Sequence, residues 1–116
     1  FNDTDIAMIY DGFTFISLSW YEKLGWCGQG EAGAFIEKHW NAEQNRILLN
    51  GRIPVNTNGG MLSEGGTQGA GFVREAVVQL RGDAGERQVQ GAKNLFLANG
   101  GFFYNSQAAV FRRDDA

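Results

Sequence analysis

Between Gly69 and Gly82 the apolar residues Phe72, Val73, Ala76, Val77 and Leu80 recur at helical spacing, with Arg74, Glu75, Gln79 and Arg81 on the other faces. An amphipathic helix of this kind obliges the chain to supply a second layer on which the apolar stripe is buried. The spacing predicts a helix from about Gly69 to Arg81, ended by Gly82. Short apolar runs provide candidates for the second layer. Ile6 to Tyr10 reads as a buried strand closed by Asp11-Gly12. Leu95 to Ala98 and Gln107 to Arg112 read as two strands of a terminal antiparallel hairpin, with Asn99-Gly100-Gly101 and Phe102-Phe103-Tyr104 between them. From Phe13 to Leu24, the positions Phe13, Ile16, Trp20 and Leu24 have helical spacing and Phe15 and Leu18 fill neighbouring faces, which predicts a helix buried on most sides. The order strand, helix, loop, strand, helix, strand, strand implies a layered α/β arrangement, a mixed sheet with packed helices.

The remaining segments read as irregular. Gly25 is a candidate C-cap, and Gly25 to Gly33 is a loop with Gly28, Gly30 and Gly33 inside it. Ala34-Phe35-Ile36 is a small apolar anchor. Lys38 to Asn50 is a polar stretch in which His39 is expected at the surface. Pro54-Val55 begins a short extended piece that stops at Asn56-Thr57-Asn58-Gly59-Gly60. The charged residues from Asp83 to Arg87 and from Arg112 to Asp115 read as solvated surface. With 17 Gly against one Pro, the turns of this chain are suited to close backbone approach.

Composition removes several function classes. The 116 residues, 43% apolar and 20% charged, describe one domain over residues 1–116 with a core of its own. A net charge of -3 without a basic stripe gives no footprint for nucleic acid. Cys27, the single cysteine, has no partner for an internal disulfide and reads as a small buried hydrophobe. No Cys/His cluster suggests a metal, no apolar run approaches the ~20 residues of a membrane span, and no signal peptide is evident, so a reducing, cytoplasmic setting is expected. The sequence begins at Phe1 and not at a methionine, from which a fragment of a longer parent is expected.

Three segments are more specific: Tyr10-Asp11-Gly12-Phe13-Thr14, Pro54-Val55-Asn56-Thr57-Asn58-Gly59-Gly60, and Gln79-Leu80-Arg81-Gly82 with Ala84-Gly85 and Arg87-Gln88-Val89. With Gly25-Trp26-Cys27 and Gly30-Glu31 they resemble the C-terminal part of thiolase-superfamily proteins of the sterol-carrier and lipid-transfer type, in that family's order, from about Asp5 to Arg112. The resemblance implies a partial, thiolase-like C-terminal half with a layered α/β/α fold. It also implies a coenzyme A thioester as substrate with no further cofactor, an N-terminal half that carries the nucleophilic cysteine, a homodimer, and in some relatives a small acyl-CoA-binding partner subunit.

The family's reactive positions are altered here. Its Asn-Glu-Ala-Phe loop is matched by Tyr10-Asp11-Gly12-Phe13. Its Gly-His-Pro-x-Gly-Ala-Thr-Gly loop is matched by Gly65-Gly66-Thr67-Gln68-Gly69-Ala70-Gly71-Phe72, which puts Gly66 at the histidine. Its C-terminal Cys-x-Gly is matched by Asn99-Gly100-Gly101. A thiol needs an adjacent base and a proton donor, and glycine supplies neither, so thiolase condensation is not expected.

Three functions remain open under the resemblance: an acetyl-CoA acetyltransferase homologue whose activity is weakened or lost, a tyrosine-dependent retro-aldolase on a β-hydroxyacyl-CoA, and a non-catalytic acyl-CoA or lipid binder. Tyr10, at a strand end, and Tyr104 are candidate catalytic phenols, each with a packed structural role as the alternative. Asp11 either orients such a phenol or caps the helix that follows it. Gly59, Gly60, Gly65 and Gly66, with Asn99, Gly100 and Gly101, are candidate substrate-binding residues that either cradle pantetheine or pyrophosphate or merely turn the chain. Ala70 contributes no polar group at the entry to the helix.

Overall fold

Strand β1, Ile6–Ile9, has no solvent exposure at any of its four residues, and so sits at the centre of the molecule. The computed structural model describes residues 2–101 and 105–115. On one edge β1 pairs in parallel with β5, Asn94–Gly100, with Ile6 opposite Leu95 and Ile9 opposite Ala98. β5 continues antiparallel to β6, Ser106–Arg112, which gives the order β1-β5-β6 and contains the hairpin expected from the sequence. A second, smaller antiparallel sheet is formed by β2 (Trp40–Asn41), β3 (Arg46–Leu49) and β4 (Ile53–Pro54). It joins the first where Val55 bridges Ala7 in parallel and the Asn56 N–H donates to the Ala7 carbonyl at 2.9 Å.

Side chains that alternate along β1 and β5 need a cover on each face. On one face Ile6, Met8, Leu95 and Leu97 pack with Phe72 and Ala76 of α4 (Ala70–Arg81), and Tyr10 lies at the margin of this cluster. On the other, Ala7, Ile9 and Ala98 pack with Tyr21 of α1 (Thr14–Lys23) and Phe35 of α2 (Ala32–His39). The result is the layered α/β/α arrangement that the resemblance implied, completed by the short helix α3 (Gly60–Glu64) and a 3-10 turn at Gly85–Arg87. Gly82, at φ 83°, ends α4 in the left-handed conformation, with its N–H and that of Asp83 returned to the Gln79 and Val78 carbonyls.

Several expectations are corrected. α4 buries Phe72, Glu75, Ala76 and Gln79, whereas Val73 and Val77 are exposed, so its inward stripe is turned from the all-apolar one. In α1 only Ile16 and Tyr21 are buried; Phe13 and Phe15 remain 49% and 55% exposed and lie against one another with ring centroids 6.0 Å apart. The apolar anchor at Phe35 belongs to a helix, stabilised from outside by aromatic contacts with Tyr21 and Trp26 at 5.5 and 6.4 Å. His39 is buried and not on the surface: its ring centroid is 4.4 Å from that of Phe35, and its Nδ1 accepts the Asn50 N–H at 3.0 Å. Cys27 is half-buried and packs against the α1/α2 core. Among the described residues no helix is long and apolar enough to cross a membrane.

The orientation of α4 can be checked by urea unfolding of the full polypeptide. Phe72→Ala is expected to cost about 3–5 kcal/mol, as for a large core ring removed, and Val73→Ala about 0.5 kcal/mol or less. Equal costs would mean that the buried face has been misassigned.

Candidate functional site

Because β1 and β5 are parallel, their C-terminal ends open on the same edge of the sheet, a usual place for functional groups in α/β folds. Tyr10 follows β1 and its N–H donates to the Ala98 carbonyl at 2.9 Å, which sets it beside Asn99 at the end of β5. The Tyr10 hydroxyl folds back over Gly12. Asn99 in turn lies against Gly69: a Cβ on that glycine, at φ 94°, would stand 2.6 Å from the Asn99 Nδ2. Gly66 is three residues earlier in the same loop and is exposed. The structure therefore brings Tyr10, Asp11, Asn99 and Gly100 to one edge with the Gly65–Gly71 loop. Tyr104 lies outside the described residues.

The Asn56–Gly60 segment reaches this edge because three side chains fasten it. Asn56, at φ 54°, accepts the Ile9 N–H on its Oδ1 at 2.7 Å and donates from Nδ2 to the Ile9 carbonyl at 2.9 Å, so it occupies the free edge of β1 as a strand residue would. Asp11 accepts the Met61 N–H at 2.6 Å and lies on the Leu62 N–H at 3.4 Å. It thus caps α3, fifty residues away, and not α1, which follows it. Gly60 permits that contact, since a Cβ there would fall 2.1 Å from the Asp11 Oδ2. Thr57 donates its hydroxyl to Glu75 Oε1 at 2.8 Å. Within the segment, the Gly59 and Gly60 N–H groups are given to the Asn56 carbonyl and the Asn58 Oδ1, and the Gly65 N–H to the Met61 carbonyl. Of these three glycines Gly65 alone has open space where a side chain would begin, since Asp11 fills it at Gly60 and Ser63 at Gly59, and all three N–H groups are already engaged.

Glu75 is fully buried, yet it is surrounded by donors. Arg87 binds it through Nε and Nη2 at 2.9–3.1 Å, and Gln79 Nε2 donates to it at 3.0 Å. Gln79 also donates to the Arg87 carbonyl and accepts the Val89 N–H, while Gln88 donates to the Gln79 carbonyl. Arg87 is exposed, as expected of the charged connector, but its guanidinium is committed to the buried Glu75. Burial pushes the Glu75 carboxyl up, but the hydrogen bonds from Arg87, Gln79 and Thr57, with the guanidinium charge, outweigh it and hold the group below the usual carboxylate value. Sequence reasoning assigned no role to Asn56, Thr57, Glu75, Gln79 or Arg87. The available signal was the i, i+3, i+4, i+7 set Phe72, Glu75, Ala76, Gln79, which is as helical as the apolar stripe.

The reactive inventory of the edge is short. Asn99 presents an amide whose Oδ1 is buried and meets no donor among the described residues. A Cβ added at Gly66 would meet nothing within 4 Å. His39 is held neutral in the core: burial, and then Lys38, push its pKa down. The Cys27 thiol is pushed up by burial and by Glu22 and Glu31, away from the thiolate. Among the described residues no three His, Cys, Asp or Glu gather as they would around a metal ion. Beside the edge, a cleft of about 580 Å³ runs between α1 and β3, with Asp11, Asn56 and Gly59 on one wall and Tyr21 on another. Tyr21 is pushed up to about 12 by burial and by the Asp11 charge, so it remains a protonated phenol.

Residues 1–113 match the family described as thiolase C-terminal domain-like. The 17-hydroxy-3-oxo-4-pregnene-20-carboxyl-CoA lyase of Mycobacterium tuberculosis is 38% identical over 84% of this chain and 24% of its own length. Sterol carrier protein 2 of Rattus norvegicus is 37% identical over 96% of this chain and 20% of its own length. Among solved structures, the Ltp2-ChsH2(DUF35) aldolase superposes with a TM-score of 0.77 at 31% identity, over 97% of this chain and 27% of that one. The chain thus spans 20–27% of the length of these relatives.

The sign of the Glu75 linkage can be tested. A depressed folded-state pKa means that the unfolded chain binds more protons between that value and the unfolded value of about 4.3. The stability contributed by Glu75 is therefore complete above the unfolded value and is lost as pH falls through the folded one. The stability difference between the natural protein and Glu75→Gln, measured by denaturant unfolding, is expected to shrink as pH falls from 6 to 3. A difference that is constant across that range would show that the carboxylate does not contribute through its charge.

Proposed function

This chain belongs to the thiolase superfamily, in the thiolase C-terminal domain-like family, and from that premise we propose that it forms the C-terminal part of an acyl-CoA-handling enzyme that cleaves a carbon–carbon bond beside the thioester by retro-aldol chemistry, without a thiol. The observation that carries this reading is the pair Gly66 and Asn99. Where the family has an imidazole and a cysteine, this edge offers an empty backbone position and a carboxamide. Similarity to a lyase and to an aldolase, each much longer than this chain, supports the same direction.

Retro-aldol cleavage asks for no nucleophile. A base takes the proton of the β-hydroxyl, the Cα–Cβ bond breaks, and the carbonyl product leaves. The electron pair passes into the thioester enolate, which is then protonated at Cα to give the shortened acyl-CoA. Phenols and amides can provide every group this needs. In this reading Tyr10 and the Asn99 Nδ2 donate to the developing enolate oxygen, and Tyr104 is the second phenol for proton transfer. Asp11 contributes indirectly, since its carboxylate is taken up by the Met61 N–H. Gly59, Gly60, Gly65, Gly66, Gly100 and Gly101 line the approach of the pantetheine with backbone alone.

The exposed Val73, Val77 and Val110 support association, either with the rest of a thiolase-like fold or with a second copy. A small acyl-CoA-binding partner subunit is part of the same proposal, supported by the likeness to the two-component Ltp2-ChsH2(DUF35) aldolase. Gly66 also favours a second reading, a non-catalytic acyl-CoA or lipid binder, because nothing titratable extends from that position.

The full encoded polypeptide, with and without a partner, is expected to cleave a β-hydroxyacyl-CoA to an acyl-CoA and a carbonyl compound, and not to thiolyse acetoacetyl-CoA with CoA. Tyr10→Phe is expected to lower kcat about 100-fold with little change in KM. Turnover of acetoacetyl-CoA would return the protein to the acetyl-CoA acetyltransferases. Binding of acyl-CoA without turnover of either compound would select the binder.

A further inference from the structure

A buried charge needs a reason, because taking a carboxylate out of water costs several kcal/mol and an ion pair in a core is often no more stabilising than apolar residues of the same size. Glu75 shows no solvent exposure and occupies the inward face of α4 together with Phe72 and Ala76, where a leucine would be the simplest filling. Four donors nevertheless converge on its carboxylate from three parts of the chain. Arg87 comes from the 3-10 turn, Gln79 from one helical turn further along α4, and Thr57 from the segment at the edge of the sheet. Thr57 is itself buried, with 6% exposure, and its hydroxyl has no closer oxygen partner than Glu75 at 2.8 Å.

We propose that Glu75 is the positioning residue of the candidate site: through Thr57 it holds the Asn56–Gly60 segment against α4, and Arg87 anchors its carboxylate from the 3-10 turn. This rests on the site assignment made above and adds the element that keeps it in order. The neighbouring fastenings, Asn56 to Ile9 and Asp11 to Met61, both run to the β1 end of the segment. Asn58 donates to Glu64 at the end of α3, and among the described residues the Thr57 bond is the segment's side-chain hydrogen bond to α4, the helix that begins at Ala70 after the glycine loop. The hydroxyl–carboxylate contact therefore adds a polar tie to the packing of Met61 on Phe72 and Ala76, and fixes how the two glycine loops face one another. The alternation of long polar residues along Gln79-Leu80-Arg81-Gly82 and Arg87-Gln88-Val89 is explained in the same way: Gln79 and Arg87 serve Glu75, and Gln88 braces Gln79 and the Ala84 N–H.

Thr57→Val tests this with little change of shape, since it removes the hydroxyl and leaves Glu75 paired with Arg87 and Gln79. In the full polypeptide, amide hydrogen exchange over residues 58–62 is expected to quicken about ten-fold in Thr57→Val, while the rate over α4 stays as in the natural protein. kcat on β-hydroxyacyl-CoA is expected to fall about ten-fold with KM nearly unchanged, and Thr57→Ser, which keeps the hydroxyl, is expected to restore both. Unchanged exchange over 58–62 in Thr57→Val would overturn the proposal. So would equal acceleration across 58–62 and α4, which would make the contact one of general stability. Should the natural protein turn over no β-hydroxyacyl-CoA, the functional reading fails alone, and the exchange rates decide the positioning role independently.

Discussion

The structure depends on β1 being enclosed on every side. Four consecutive residues without exposure mean that both faces and both edges of this strand are covered, and a strand so buried must have its backbone groups satisfied by protein. β5 satisfies one edge. Among the described residues the other receives no regular strand beyond the Val55 bridge, and Asn56 completes it with its side-chain amide, which donates and accepts as a peptide group would. That substitution brings the segment from Asn56 to Gly60 to the end of β1, and with it the Asp11 cap on α3. The surroundings of the candidate site are thus a consequence of how a short central strand obtains its hydrogen bonds.

How much of this could be read from the sequence differs from element to element. The run Ile6 to Tyr10, the helix before Gly82 and the terminal hairpin were legible because apolar runs and periodicities of 2 and 3.6 survive any tertiary context. The face of α4 was not. The buried set 72-75-76-79 shares Phe72 and Ala76 with the apolar stripe 72-73-76-77-80, but hydrophobicity alone turns the face toward Val73 and Val77. The observed set is buried because Arg87, brought up by the turn at Gly85–Arg87, compensates Glu75, a contact twelve residues distant that no local pattern encodes. α2 was obscured by the glycines before it and by its eight-residue length, too short to be marked by propensity. His39 looked like a surface residue because its neighbours are polar. Its burial follows from Phe35 one turn earlier, which draws the imidazole into the aromatic cluster.

For the candidate site, the sequence located the three segments but not what joins them. Residues singled out for chemistry turn out to hold backbone in place. Asp11 caps a helix, and the N–H groups of Gly59 and Gly60 close the turn in which they stand. Asn99 is the reverse case: it stands in the strand register opposite Gln107, while its Oδ1 is left without a donor among the described residues. The polar groups that are buried and engaged, Thr57, Glu75 and Gln79, are not among the positions the resemblance marked as reactive. Rigidity and reactivity are therefore supplied by different residues, which is the usual division in a site whose geometry has to be kept within fractions of an ångström.

Gly66 differs from the glycines around it. Gly60 and Gly69 have left-handed backbones and neighbours so near that a methyl group could not be accommodated, whereas Gly66 has ordinary dihedral angles and open space where a side chain would begin. It is accordingly the point in this loop at which evolution, or a protein engineer, could install an imidazole, a phenol or a carboxylate without first rebuilding the scaffold. A lineage that kept the shape of the loop while emptying this one position would have kept its catalytic repertoire reversible.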